Sequence, residues 1–107
     1  MKQTSGVGGL GRFAEPAVLV MISLAEAPKH GYAITADIER LADIRLGPGT
    51  LYGAIARLEE RGLIEPIPSE DRRRPYRLTA VGEQVLRAHL VTLGRVVSAG
   101  DRRLTRA

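Results

Sequence analysis

An α+β, mostly α fold is predicted from three observations. Three successive segments carry helical hydrophobic spacing, two short proline-bounded extended segments enclose an arginine-rich tip, and the last stretch holds a heptad seam. In that order they describe a winged helix-turn-helix, three helices plus a two-stranded wing, with a long C-terminal dimerisation helix behind it. The length of 107 residues suits one modest core, and 44% apolar with 26% charged residues is a globular composition. The opening MKQTSGVGGLGR, with four glycines and no periodicity, reads as a flexible arm. The expected division is therefore an arm over 1–13, a winged helix over 14–78 and the C-terminal helix over 79–107.

The first helix is announced by Pro16, which fits a first helical turn because its missing N–H has no intrahelical partner there. AVLVMISLAEA then runs apolar on nearly every face as far as Pro28, the pattern of a buried central helix. The second helix, YAITADIERLAD, has one buried stripe: Ile34, Ile38 and Leu41 share a face, with Asp37, Glu39 and Arg40 turned away. IRL then suits a short strand. GPGT breaks the chain, and Thr50 or Gly49 is expected to cap a third helix, LYGAIARLEERG. Leu51, Ile55 and Leu58 form its buried line, and Gly62 ends it in left-handed geometry.

LIEPIP and PYRLT are the two wing strands, held to edge positions by Pro66, Pro68 and Pro75. Alternation puts Tyr76 and Leu78 on the core side and Arg77 on the other. Thr79 caps the last helix, where Leu86, Leu90, Leu93, Val97, Gly100 and Leu104 make a heptad seam. A parallel line of Val81, Val85, Ala88, Thr92, Val96 and Ala99 lies beside it. Two adjoining apolar lines let one helix pack on its own domain and on a partner, so a homodimer is expected.

Charge is divided unevenly. Residues 1–68 hold seven Lys/Arg against eight Asp/Glu, a net −1, whereas residues 69–107 hold nine arginines against four acids, a net +5. This asymmetry points to an anionic partner, nucleic acid first and an anionic membrane surface second, with an arginine-rich proteome as the plain alternative. No cysteine is present, which fits a reducing compartment and rules out thiolate metal sites. AVLVMISLA is too short to span a bilayer and lacks the flanks of a signal peptide, so a cytoplasmic protein without membrane contact is expected. His30 and His89 are isolated and the carboxylates are scattered over helix surfaces. Neither catalysis, a metal site nor a cofactor is expected from such a set.

The third helix, spanning 48–61, is slim enough to enter a major groove about 12 Å wide. Opposite its buried line it shows Thr50, Gly53, Ala54, Arg57 and Arg61. Small residues near its start allow a close backbone approach, and its positive N-terminus favours a phosphate. Arg57 reads either as a bidentate contact to a guanine edge or as a surface partner of Glu60 or Asp71. The tip SEDRRRP over 69–75 places Arg72, Arg73 and Arg74 where a wing meets flanking DNA.

HGYAITADIERL, LGPGTLYGAIARLEERGLIEP and RRRPYRLTAVGEQVL, taken in order and with their spacing, resemble the PadR-like transcriptional regulators over about residues 16–90. The resemblance implies a dimeric, double-stranded-DNA-binding repressor of the short form, with a single C-terminal helix swapped or packed against its partner. On it, Thr50 and Tyr52 would approach phosphates or base edges, Arg57 would read bases, and Arg72, Arg73 and Arg74 would be wing contacts; Gly53 is a DNA-contact candidate through its small size. Tyr32 would pack in the core. One departure is Gly53, where the family has proline; glycine costs a helix interior roughly 0.8–1 kcal/mol against alanine.

Leu86, Leu90, Leu93, Val97 and Leu104 are the expected dimer contacts. Some relatives bind an effector near that interface. A small apolar effector here would be lined by Val85 and His89 together with Leu86, Leu90 and Leu93, residues that read equally well as dimer core. The absence of Trp excludes a pocket that sandwiches flat ligands between tryptophans. The rival function is a winged helix that binds protein and not DNA, since a fold does not determine a function.

Overall fold

A computed structural model describes residues 15–70 and 72–106. Its elements are α1 (Pro16–Glu26), α2 (Gly31–Ala42), α3 (Pro48–Glu60), β1 (Ile64–Pro66), β2 (Tyr76–Leu78) and α4 (Ala80–Arg106). This is the winged helix predicted, mostly helical with one antiparallel two-stranded sheet and a long last helix. The arm expected over 1–13 lies outside the described residues.

The apolar run of α1 makes it the centre of the fold. Val18, Leu19, Val20, Met21 and Leu24 are buried, and the helix touches α2, α3, α4 and β2. Pro16 sits in its first turn, and the chain leaves in extended geometry at Ala27, ahead of Pro28. Facing it, α2 buries Gly31, Ile34 and Ile38, and α3 buries Leu51, Ala54, Ile55 and Leu58.

Two expectations for α2 need correction. Leu41 is 47% exposed, while Asp37, expected to face away, is only 9% exposed. The chain reverses at Asp43, in left-handed geometry with φ 57°, and lays Ile44 and Leu46 against the core in place of Leu41. Asp37 is held inward by charge: Arg40 donates to its Oδ1 at 3.1 Å, and Lys29 Nζ stands 3.9 Å from its Oδ2. That lysine also donates to the Ser23 carbonyl at 2.6 Å and pairs with Glu26 at 2.8 Å, placing a cation over the C-terminal end of α1.

The IRL stretch is not a strand. Its alternation is real, since Ile44 and Leu46 are half-buried and Arg45 is exposed, but among the described residues no neighbouring strand pairs with it. Nor does Thr50 or Gly49 cap α3. Pro48 takes the first turn, so the cap is Gly47, whose carbonyl accepts the Leu51 N–H at 2.9 Å. At the other end Gly62 adopts φ 74°, the left-handed stop its position suggested.

In the wing, Ile64 pairs with Leu78, Glu65 with Arg77 and Pro66 with Tyr76. Arg77 donates to Glu65 across the strands at 2.7 Å. Outward of the ladder, the Ile67 N–H reaches the Pro75 carbonyl at 2.8 Å. Tyr76 also exchanges both backbone bonds with Lys29, at 2.9 and 3.1 Å, which ties the wing to the turn between α1 and α2. Tyr76 and Leu78 pack on the core and Arg77 is exposed, as alternation required.

Thr79 starts α4 in two ways. Its hydroxyl accepts the Gly82 N–H at 2.9 Å and donates to the Gly62 carbonyl at 2.7 Å, joining the end of α3 to the start of α4. Gly82 is there for contact: a Cβ at this position would run into the Leu63 carbonyl oxygen and lie 2.9 Å from its carbon. Beyond that junction Leu86 is buried in the core, and the rest of the helix leaves it. At 1.5 Å per residue its 27 residues span about 40 Å, so its last turns project past the body.

Candidate nucleic-acid interface

The first turns of α3 are open to solvent. Pro48, Gly49, Thr50 and Arg57 are exposed, as expected of a helix face free to enter a groove. Ala54 is the exception, because it is fully buried in the core. One position after Gly53 on the helix, its methyl falls 100° round, on the side of Leu51 and Ile55. The close approach therefore rests on Gly49, Thr50 and Gly53. Among the described residues Arg57 makes no ion pair, so its alternative partner Glu60 does not hold it; Asp71 lies outside the described residues.

Arg72, Arg73 and Arg74 are exposed at the wing tip. The structure brings them together with Tyr52 of α3: all four line one hollow of about 290 Å³, walled also by His30, Tyr32 and Tyr76. The wing and the third helix thus form a single cationic concavity and not two separate patches. His30 occupies the N-cap position of α2 without a side-chain cap bond, and among the described residues its buried Nδ1 has no hydrogen-bond partner.

Tyr32 is a further residue whose place differs from the sequence expectation. It is 76% exposed and walls this hollow, where core packing was expected. It occupies the first turn of α2, one residue after the buried Gly31, and so projects 100° away from the buried face. The helical stripe of Ile34 and Ile38 contains the signal that would have shown this, since Tyr32 lies off it.

Along α4 the seam divides. Leu86, expected at the partner interface, belongs to the protomer's own core. Leu90, Leu93, Val97 and Leu104 are exposed, the last two more than the first two, with Leu104 at 81%. Val85 and His89 do not line the hollow nearest the expected effector site, whose walls are mixed and include Glu26, Arg77, Glu83 and Arg87. That hollow, of about 540 Å³, lies between the end of α1, β2 and α4 and is floored by Leu24, Leu78, Leu86 and Leu90. Val85 and His89 each precede a floor residue by one position, 100° round the helix, and point elsewhere. His89 instead approaches Glu15 at 3.9 Å. Among the described residues no group of acids and histidines is arranged to hold a metal, and no helix is long and apolar enough to cross a membrane.

Comparison with known proteins adds a family to this geometry. The model of the PadR-like family of transcriptional regulators matches residues 18–88. A 37.1 kDa protein of a Streptomyces fradiae transposon, TN4556, is 44% identical over 85 residues, which are 79% of this chain and 25% of that protein. The chain therefore spans a quarter of the length of that curated relative. Among solved structures, a transcriptional regulator from Clostridium thermocellum is similar with a TM-score of 0.76 at 25% identity, covering 94% of this chain and 97% of that one. A PadR family transcription regulator from Clostridium difficile shares the fold with a TM-score of 0.76 at 23% identity, covering 83% and 97%.

Proposed function

The chain belongs to the PadR-like family of transcriptional regulators, and from that premise we propose that it is a homodimeric repressor that binds a pseudo-palindromic site in double-stranded DNA. Residues 14–78 form the DNA-binding unit. Helix α3 enters the major groove, with Thr50, Tyr52 and Gly53 at its leading end and Arg57 set to read a guanine edge. Arg72, Arg73 and Arg74 meet flanking phosphates and fix the register without reading sequence. The single observation that supports this reading is the shared hollow, which is lined by Tyr52 of α3 and by Arg72, Arg73 and Arg74 of the wing tip and so presents positive charge beside the start of the helix.

Residues 79–107 form the dimer contact, with Leu90, Leu93, Val97 and Leu104 as the buried line between copies. Their exposure in the single chain supports this, since a seam of large aliphatic side chains left in water is what a second helix would cover. A two-fold dimer sets half-sites about one helical turn apart, roughly 34–36 Å. A small effector would rest its apolar part on Leu24, Leu78, Leu86 and Leu90 in the hollow between α1, β2 and α4, where Glu26, Arg77, Glu83 and Arg87 also line the walls and it would touch both the wing strand and the dimer helix.

Footprinting the full chain on the promoter of its own gene tests the reading. Two protected, symmetric half-sites are expected. Protection without symmetry would remove the dimer model, and no protection at low salt there or on other duplexes would remove DNA binding.

A further inference from the structure

Two of the chain's three tyrosines stand exposed side by side at the starts of α2 and α3. Tyr52 is 54% exposed and Tyr32 more so, and both wall the hollow that holds Arg72, Arg73 and Arg74. Among the described residues neither hydroxyl has a hydrogen-bond partner. The rings do little for the core, so folding alone does not account for their type at these positions.

Gly31 explains how Tyr52 comes to lie there. Its φ is outside the left-handed region, so the backbone does not require glycine, and glycine is a poor residue in a helix. Space requires it: a Cβ at Gly31 would run into the Tyr52 hydroxyl oxygen and lie 2.8 Å from Cζ. The ring of Tyr52 therefore rests on the bare backbone at the start of α2, in the hollow it shares with Tyr32 and the wing arginines.

We infer that Gly31 and Tyr32 belong to the DNA-contacting surface, Tyr32 as a second hydroxyl donor to the phosphate run met by the wing, and Gly31 as the positioning residue for Tyr52. This rests on the DNA-binding reading above. A hydroxyl donating to a charged phosphate oxygen makes a charge-assisted bond, and phosphate contacts of this type come from tyrosine as well as from arginine and lysine. Unlike an arginine, a tyrosine displaces no counterion, so its loss weakens binding without changing the salt slope.

The test measures binding of the full chain to a duplex of arbitrary sequence across a salt series, with melting temperatures for every variant. Tyr32→Phe is expected to bind about tenfold more weakly at fixed low salt, with an unchanged log–log slope and an unchanged melting temperature. Gly31→Ala is expected to weaken binding about tenfold in the wild-type background and to add nothing in a Tyr52→Ala background, where the colliding ring is gone. Wild-type affinity in Tyr32→Phe would overturn the role of Tyr32. Equal losses from Gly31→Ala in both backgrounds would overturn its positioning role. Failure of the wild-type chain to bind any duplex would instead remove the DNA reading and this inference with it, a result separable from either variant's behaviour. Should Gly31→Ala fold poorly, Tyr32→Phe still decides, because that side chain is exposed.

Discussion

Replacing glycine by alanine should have opposite effects in α3 and α4. In α4, a Cβ at Gly82 meets the Leu63 carbonyl oxygen, with Leu78 Cδ1 a further 3.1 Å neighbour. The obstacle is backbone, and the same oxygen accepts the Thr79 N–H at 3.1 Å, so relief by movement also strains the junction with α3. Overpacking costs about 1–3 kcal/mol and a weakened hydrogen bond about 1, against a helix-propensity gain of up to about 1. The net is a loss of about 2 kcal/mol. In α3, a Cβ at Gly53 meets only Arg57 Nη1, at 3.6 Å, an ordinary contact with the end of a flexible side chain. There the propensity gain of roughly 0.8–1 kcal/mol is expected in full. For a domain of this size about 1 kcal/mol moves the melting temperature by about 4–8 °C. Gly82→Ala should therefore melt about 10 °C lower than the parent and Gly53→Ala about 5 °C higher, measured by circular dichroism at one fixed protein concentration. A Gly82→Ala protein that melts at or above the parent would refute the argument, since it would mean that α4 does not press on Leu63.

Ser23 is fully buried with an unpartnered hydroxyl, so Ser23→Ala should raise stability by about 1 kcal/mol in urea unfolding; a decrease would reveal a partner for the hydroxyl. Lys29→Met should lower it by about 1–3 kcal/mol, because it removes a cation that serves the Ser23 carbonyl and the buried Asp37 while keeping the aliphatic stem. Changing Arg72, Arg73 and Arg74 together to alanine should weaken binding to all duplexes alike and lower the salt slope by roughly 0.9 for each phosphate that is no longer neutralised. An unchanged slope with lost sequence preference would assign the wing to base reading. Val97→Asp should convert a dimer to monomer in sedimentation at micromolar concentration, and a parent chain that is monomeric there would remove the dimer proposal.

Local rules of spacing and stereochemistry were sufficient for much of this chain. The period of Leu51, Ile55 and Leu58, the proline-bounded wing strands, the Thr79 cap and the left-handed stop at Gly62 all follow from neighbours within one or two turns. They could be read without knowing what lies across the core. The interface was legible to the same extent: its arginine tip and the solvent-facing start of its helix stand out in the sequence.

Distant neighbours decided several of the misread positions, whereas the Gly47 cap and the places of Ala54 and Tyr32 turn on geometry within their own helices. Asp37 turned inward because Lys29, arriving from the preceding turn, offers it a charge, and Leu41 was left outside because Ile44 and Leu46 filled its place. Gly31 and Tyr52 meet only when α2 and α3 pack together, so neither that contact nor the reason for Gly31 is visible in either helix alone. Most element types, the winged-helix order, the buried line of α3 and the location of the positive charge follow from local periodicity and composition, with IRL the exception because a strand needs a partner from elsewhere. Packing settled what the local pattern left open, that Leu41 gives way to Ile44 and Leu46 and that Tyr32, Tyr52 and the wing arginines share one hollow, because burial and contact depend on what reaches a side chain from elsewhere in the chain.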